Sequence, residues 1–226
     1  MYKDQVDIVN LWTIETQRTF AENELWSILD EEDRRYVDSA ITSNERFRRL
    51  LSRATLRHVV AQILGLTPCE IPVMRRGGKP TITFHGPPRF NVSVSNTQHM
   101  IAISVSADSP VGVDIEESNR EEACAAVSDL AFRRSEMDLV GVTLGNGQVI
   151  SSIHLWTAKE AAFKVIASPD DVFIPTDFIV ELFAGRLTCQ YKEMVCSISH
   201  TQFDGHCCAL AGSQAFNLVR RQLEMP

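Results

Sequence analysis

A short stretch of alternating apolar and acidic residues, Val111–Glu116, constrains this fold more than any other part of the chain. The alternation predicts a β-strand, because successive side chains of a strand point to opposite faces. Asp114 and Glu116 are then expected on one face, with Val113 and Ile115 packed against apolar neighbours on the other. Two adjacent carboxylates repel each other unless a divalent cation lies between them or one of them stays protonated.

A third carboxylate, Glu160, lies on a helix predicted over residues 149–167. Trp156, Glu160 and Lys164 recur at four-residue intervals and therefore share one helix face. Mg²⁺ prefers oxygen ligands and often completes its shell with phosphates, so three acids and a lysine suit phosphoryl transfer. We predict that Asp114, Glu116 and Glu160 hold one Mg²⁺. The alternative for Glu160 and Lys164 is a surface pair worth about 0.2–0.5 kcal/mol.

The rest of the chain predicts long helices that are followed by antiparallel strands. The clearest helix spans residues 43–64, with Ser43 as its N-cap and Gly65 as its end. Other helices are predicted over residues 21–38, 120–131 and 135–140, the last capped by Ser135. Strands are predicted over residues 6–14, 90–95, 100–106, 178–183, 186–191, 195–199 and 206–211. This pattern indicates an α+β chain with a loose structural duplication, divided into halves 1–108 and 109–226.

Charge narrows the class of ligand. The net charge of −7 argues against a general nucleic-acid or membrane binder. One short stretch is nevertheless basic, and it contains Arg46, Arg48, Arg49, Arg53 and Arg57. A concentrated basic patch on an acidic protein favours a small polyanionic ligand, although the same row of arginines could be a solvated helix face.

The cysteines and the N-terminus indicate a cytoplasmic protein. The six cysteines form no Cys-x-x-Cys pair, so we expect reduced, buried thiols and no zinc site. No apolar run reaches the roughly 18 residues of a membrane-spanning helix, and residues 1–7 lack the apolar core of a signal peptide. His154 is expected to be a hydrogen-bonded core residue.

The turn at Gly77-Gly78-Lys79-Pro80 is a weaker signal. Its backbone N–H groups and the Lys79 ammonium could bind a phosphate. It could equally be a loop between two strands.

Together these motifs resemble the 4′-phosphopantetheinyl transferases. The strand Gly112–Glu116, followed about forty residues later by Trp156–Lys164, is similar to the paired signature of that family. The spacing and length resemble the surfactin-synthetase-activating type, a single chain of two similar halves. Four shorter pieces resemble family motifs and appear in the family's order: Arg48-Arg-Leu-Leu, Gly78-Lys79-Pro80, Phe90-Asn-Val-Ser-Val-Ser95 and Asp204-Gly-His-Cys-Cys-Ala-Leu-Ala211.

The resemblance implies a fold and a reaction. The fold would be two α/β halves with antiparallel sheets, related by a pseudo-twofold axis. The reaction would move the 4′-phosphopantetheine arm of coenzyme A onto a serine of an apo acyl or peptidyl carrier protein and release 3′,5′-ADP. We expect a cytoplasmic monomer that docks its carrier around residues 120–175.

The resemblance also assigns roles to individual residues. Asp114, Glu116 and Glu160 would hold Mg²⁺, Glu160 would also act as the base, and Lys164 would contact the transferred or leaving phosphate. Arg48, with Arg35 as a second candidate, would bind the 3′-phosphate of coenzyme A. The nucleotide side would be lined by Gly78, Lys79, Pro80 and Ser93.

One departure from the family pattern leaves alternatives open. Val94 stands where the family strand usually carries a histidine between its two serines, and that histidine is expected to help bind a nucleotide phosphate. A protein that binds coenzyme A or a carrier without transferring the arm is therefore a second hypothesis. An unrelated Mg²⁺ phosphohydrolase is a third.

Overall fold

A computed structural model of the chain describes residues 7–16, 21–76, 79–83, 90–107, 109–168 and 170–223. The helices within these ranges are α1 (Glu22–Ser27), α2 (Glu31–Asp38), α3 (Ser43–Leu64), α4 (Glu121–Ala126), α5 (Ser128–Ala131), α6 (Arg134–Met137) and α7 (Ser152–Ile166). The strands are β1 (Asp7–Glu15), β2 (Val73–Arg76), β3 (Lys79–Ile82), β4 (Asn91–Asn96), β5 (Met100–Ser106), β6 (Val111–Glu117), β7 (Ile179–Phe183), β8 (Arg186–Tyr191), β9 (Met194–Phe203), β10 (His206–Gly212) and β11 (Phe216–Gln222).

Two sheets contain most of the strands. The first has the order β11-β1-β5-β4, and the second has the order β6-β10-β9-β8-β7. All pairings are antiparallel except that of β1 with β11, which is parallel. The predicted α+β class is thereby confirmed, whereas the pseudo-twofold relation and the division at residue 108 stay predictions. β11 crosses from the C-terminal part of the chain into the first sheet.

The buried residues form layers that place α3 and α7 on opposite outer sides. α3 packs on one face of the first sheet, in a cluster that includes Leu50 and Ile103. α7 packs on the second sheet, in a cluster that includes Ala161 and Ala209. Between the sheets lies a third cluster, to which β6 contributes Val111, Val113 and Ile115. The predicted apolar face of β6 is therefore buried between the sheets, and its acidic face is turned toward α7.

The helix ends differ in detail from the sequence prediction. α3 has the predicted bounds and the predicted end at Gly65, whose φ is 67°, but its N-cap is Thr42 and not Ser43. The Thr42 hydroxyl accepts a hydrogen bond from the Glu45 N–H at 3.1 Å, as an N-cap side chain does. Ser135 lies inside α6, so its predicted capping role is wrong; the Glu136 carboxylate instead accepts a hydrogen bond from the Arg133 N–H at 2.7 Å.

The thiols follow the prediction with one exception. Five cysteines are buried and free, whereas Cys69 is exposed, so the expectation of six buried thiols is wrong at that position.

His154 is buried and hydrogen-bonded to Ser151, as expected. None of the helices within the described ranges is long and apolar enough to cross a membrane.

Candidate active site

Gly112 lets α7 lie directly on β6. A Cβ atom at this position would be 2.1 Å from the Ala161 carbonyl oxygen of α7, far inside van der Waals contact. Because the glycine removes that obstacle, Glu160 and Lys164 of α7 come next to Asp114 of β6. The glycine of the Gly112–Glu116 motif is thus required by the close approach of a helix to a strand.

The start of α7 is fixed by an acid from another helix. The Glu121 carboxylate accepts hydrogen bonds from the N–H groups of Ser152 and Ile153, both at 2.9 Å, and from the Ser151 hydroxyl at 2.8 Å. Partial burial by itself would raise the pKa of Glu121, but these hydrogen bonds outweigh it and hold the pKa below its usual value. The contact satisfies N–H groups that have no partner within the helix.

The middle of α7 is anchored by a buried ion pair. Lys159 and Glu136 are both fully buried, with Nζ and Oε2 2.7 Å apart. The ammonium also donates to the carbonyl oxygens of Ala131 and Pro175, both at 2.9 Å. The carboxylate additionally accepts from the backbone N–H groups of Arg133 and Val180. Every charge in this pair is therefore compensated, and α7 cannot rotate about its axis without breaking it.

Asp114 is the centre of the site. The residue is 2% exposed, and Oδ1 accepts hydrogen bonds from Lys164 Nζ and from Ser95 Oγ, both at 2.8 Å. Lys164 Nζ also donates to the Val113 carbonyl oxygen at 2.8 Å. Oδ2 has no hydrogen-bond partner among the residues that the structure describes. Asp114 is thus a buried carboxylate with one oxygen left open.

Glu160 is partly buried and lies close to the negative charge of Asp114. Burial, followed by the negative charge of Asp114, raises the pKa of Glu160 to about 8, although Lys164 opposes the rise. At neutral pH and without a cation, Glu160 therefore carries a proton for most of the time. This is one of the two solutions expected for acids that lie side by side.

Glu116 is close to the other two acids, but its carboxylate is hydrogen-bonded to Arg120. Burial raises its pKa, and the hydrogen bonds from Arg120 oppose that rise. Arg120 Nη1 lies 2.8 Å and 2.7 Å from the two carboxylate oxygens. Within the described part of the chain, no three histidine, cysteine, aspartate or glutamate side chains are arranged to hold a metal ion. The predicted set of three metal ligands stays a prediction.

The chemistry of these acids nevertheless fits a hard divalent cation. Carboxylate oxygens are the ligands that Mg²⁺ prefers, and the buried Asp114 Oδ2 accepts no hydrogen bond from an amide, hydroxyl or ammonium group of the described residues. Hydrogen bonding between the carboxyl groups of Glu160 and Asp114 contributes to the raised pKa of Glu160, and a cation would replace the shared proton. The charge of Asp114 contributes to the raised pKa of both Glu116 and Glu160, so the three acids lie within electrostatic reach of one another. A cation placed between them would relieve that repulsion.

Two serines of β4 join the first sheet to β6. Ser93 Oγ accepts a hydrogen bond from the Val113 N–H at 3.1 Å, and Ser95 Oγ donates to Asp114. Ser93, predicted on the nucleotide side, is 5% exposed and lies beneath β6. Ser95 was not among the predicted site residues. The period of two in Ser93-x-Ser95 could have identified it, because both side chains lie on one face of the strand.

Lys79 lies at the C-terminal end of α7. Its Nζ donates to the carbonyl oxygens of Phe163 at 3.2 Å and Lys164 at 3.3 Å. Burial, and then the charge of Lys164, lowers the pKa of Lys79. A cavity of about 160 Å³ is lined by both lysines and by Pro80. The predicted residue Gly78 lies outside the described residues.

Arg48 lines a larger cavity, which has a volume of about 460 Å³ and is also lined by Phe47 and His99. The Arg48 side chain forms no hydrogen bond or ion pair with the residues that the structure describes, although its charge helps to lower the pKa of Glu45. Arg35, the second predicted phosphate ligand, has a 73% exposed side chain and is paired with Glu31 at 3.6 Å. Of the two predicted arginines, Arg48 is the one that faces a cavity.

The row of arginines on α3 serves the packing of α2. Arg57 is 1% exposed and donates to Asp33 at 2.8 Å, and it is also paired with Asp30. Arg53 is paired with Asp33 at 3.4 Å. Neither a solvated face nor a ligand contact is therefore correct for Arg53 and Arg57.

Val94 lies on the opposite face of β4 from the two serines. It is partly buried and packs against the cluster beneath α3. The position where the family usually has a histidine is occupied here by an apolar core contact.

Residues 110–211 match the family model described as the 4′-phosphopantetheinyl transferase superfamily. No curated protein matches the chain. The matched segment contains β6, α7 and all but the last residue of β10, and with them Asp114, Glu116, Glu160 and Lys164. The resemblance to this superfamily is thereby confirmed for residues 110–211, and the surfactin-synthetase-activating subtype stays a prediction. A transferase of phosphopantetheine, which uses coenzyme A and a carrier protein, is the activity that this match indicates.

Proposed function

We propose that this protein transfers the 4′-phosphopantetheine arm of coenzyme A to a serine of an apo acyl or peptidyl carrier protein. The observation that carries the proposal is the meeting of Asp114, Glu160 and Lys164 within the segment that matches the transferase superfamily. A buried acid and a partly buried acid next to a lysine form a site suited to a cation and a diphosphate.

Asp114, Glu116 and Glu160 would hold the Mg²⁺ ion of this reaction. When bound, Mg²⁺ neutralises negative charge on the diphosphate of coenzyme A. Asp114 is the fixed member of the set, because Lys164 and Ser95 both hold its Oδ1 and leave Oδ2 open.

Glu160 and Lys164 would act on the reacting groups. Glu160 accepts the proton of the carrier serine hydroxyl, directly or through one water molecule, as the serine oxygen bonds to the phosphorus that carries the pantetheine arm. The bond from that phosphorus to the 3′,5′-ADP oxygen breaks, and 3′,5′-ADP leaves with the electron pair. Lys164 is held beside the acids by Asp114 and the Val113 carbonyl oxygen, where its ammonium can donate to a phosphate oxygen.

Arg48 would bind the 3′-phosphate of coenzyme A in its cavity, with Arg35 as the second candidate for this role. Gly78, Lys79, Pro80 and Ser93 would line the nucleotide side. The two regions are joined along β4, because Ser95 contacts Asp114 and the next residue, Asn96, lines a small cavity together with Arg48. A ligand with two separated anionic groups could therefore reach both.

The finer assignments belong to the same proposal. The protein is a cytoplasmic monomer of the surfactin-synthetase-activating subtype. Its N-terminal half, residues 1–108, binds the nucleotide. Its C-terminal half, residues 109–226, supplies the acids and docks the carrier around residues 120–175.

The test is incubation with fluorescent coenzyme A, Mg²⁺ and a panel of apo carrier proteins. The wild-type protein is expected to label a carrier and to lose this activity in EDTA. Asp114→Ala and Glu160→Gln should abolish the labelling, whereas the exposed control Glu122→Gln should retain it. Full activity of either site variant would overturn the assignment of the acids.

Val94 favours a second candidate, a protein that binds coenzyme A or a carrier without transfer. Under this candidate coenzyme A binds but the carrier mass stays constant. A mass increase of one phosphopantetheine on the carrier serine would exclude it.

A further inference from the structure

Arg120 is paired with Glu116, one of the three carboxylates of the proposed metal site. Its Nη1 lies within hydrogen-bond distance of both oxygens of Glu116, at 2.8 Å and 2.7 Å. A cation that approached either oxygen of Glu116 would compete with the Arg120 guanidinium for that carboxylate. Glu116 is 15% exposed and faces the site, so the contact lies at its border.

We propose that Arg120 is a movable counter-ion: it neutralises Glu116 in the metal-free protein and binds the diphosphate of the ligand once a metal ion takes Glu116. This inference rests on the proposed function. It adds a ligand-binding residue to the site that the paired motif does not contain.

The contact can be exchanged because it is weak. The Arg120 side chain is 53% exposed and lies in the segment Ser118–Arg120 that connects β6 to α4. Because one partner of this ion pair is exposed, water and salt screen its attraction to Glu116 and weaken it. A divalent cation that binds several carboxylates at once is expected to bind Glu116 more strongly than the single guanidinium of Arg120.

After the exchange, Arg120 would still lie beside the site. The guanidinium lies 2.8 Å and 2.7 Å from the two oxygens of Glu116, so a diphosphate bound to a cation at that carboxylate would lie nearby. A guanidinium presents a planar fork of donors that matches phosphate oxygens.

The test compares wild type, Arg120→Gln and the control Arg134→Gln. Arg134, at the start of α6, forms an i,i+4 pair with Asp138, which follows that helix, at 3.8 Å. Its variant therefore removes the same charge from a pair that is more exposed. Mn²⁺ serves as the probe, and its dissociation constant is measured by electron paramagnetic resonance without coenzyme A. Coenzyme A affinity is then measured by calorimetry at saturating Mn²⁺.

The two affinities of Arg120→Gln are expected to change in opposite directions. Mn²⁺ should bind about two- to fivefold more tightly, the factor that corresponds to loss of an exposed ion pair. Coenzyme A should bind at least about tenfold more weakly, because a charge-assisted hydrogen bond to phosphate is lost. Arg134→Gln should change neither affinity.

Three other outcomes would contradict the proposed exchange. Equal Mn²⁺ affinity in wild type and Arg120→Gln, or unchanged coenzyme A affinity, would overturn the exchange and leave the proposed function in place. A wild-type protein that does not bind Mn²⁺ at all would overturn the metal site, and the exchange with it.

Discussion

At the scale of single residues, the sequence predicts which side chains lie together better than it predicts the hydrogen-bond partners that surround them. Asp114, Glu160 and Lys164 meet as their spacing predicts, because strand and helix periodicity fix the face on which each lies. Ser95 and Arg120 were missed. Ser95 contacts Asp114 across two strands, and Arg120 contacts Glu116 through the short segment that follows β6. Neither residue has a distinctive spacing relative to the acids.

The raised pKa of Glu160 leads to a prediction about stability. Its pKa is about 8 in the folded protein and 4.5 when unperturbed, so the folded state holds a proton that the unfolded chain releases between these values. The contribution of this proton to the stability of the folded protein is complete below about pH 4.5 and is lost as the pH rises to about 8. Glu160→Gln cannot ionise, so wild type should lose on the order of 3 kcal/mol relative to this variant between about pH 5 and about pH 8.

The measurement is urea unfolding of both proteins in EDTA at the two pH values, with Glu122→Gln as the control. The control should follow wild type, since Glu122 is exposed. The prediction fails if the difference in unfolding free energy between wild type and Glu160→Gln is the same at both pH values.

At the scale of elements, long periodic segments are predictable and short ones depend on tertiary partners. α3 has the predicted bounds, because its apolar stripe and Gly65 are local signals. The helix predicted over residues 120–131 is instead two short helices, and Glu121 at the start of the first one caps α7. The Lys159–Glu136 pair has no sequence signal, since the two residues belong to different helices and pair only after both are buried.

The contact between α7 and β6 leads to a prediction about Gly112. Gly112→Ala places a methyl group against the Ala161 carbonyl oxygen and should push α7 away from β6. We expect a loss of about 1–3 kcal/mol in the free energy of unfolding, the usual cost of overpacking, or more if α7 cannot shift. Urea denaturation measures this loss, and Mn²⁺ binding should weaken with it because Glu160 and Lys164 move with the helix.

Gly145→Ala is the matched control for that experiment. A Cβ at Gly145 meets no atom within 4 Å, so the substitution should change stability little. Equal effects of the two substitutions would show that the close approach of α7 to β6 is not what requires glycine at position 112.

At the scale of the whole molecule, the sequence predicts the class of fold but not its connectivity. The hairpin strands β8 to β10 follow local alternation and short turns, and they were predicted. β11 was missed because its sequence, Phe216–Gln222, ends in polar and charged residues and alternates only at its start. Its position is set by β1, a partner more than two hundred residues earlier, which no local pattern can specify.

The crossing of β11 makes the first sheet depend on the C-terminal end of the described chain. Leu223 is 3% exposed, packs in the cluster beneath α3, and its N–H donates to the Thr13 carbonyl oxygen at 3.1 Å. Leu223→Ala should therefore cost about 2–5 kcal/mol, as other buried leucine truncations do. Hydrogen exchange should quicken at the amides of β1 and β5, although the substitution lies far away in sequence.

Leu130→Ala provides the comparison, because Leu130 is 79% exposed and its truncation should be nearly neutral. If Leu223→Ala quickened exchange only within β11 while β1 and β5 kept their protection, the first sheet would be stable without its last strand. Equal stability of the two variants would have the same meaning. Faster exchange throughout β1 and β5 would instead show that residues from both ends of the chain unfold as one cooperative unit.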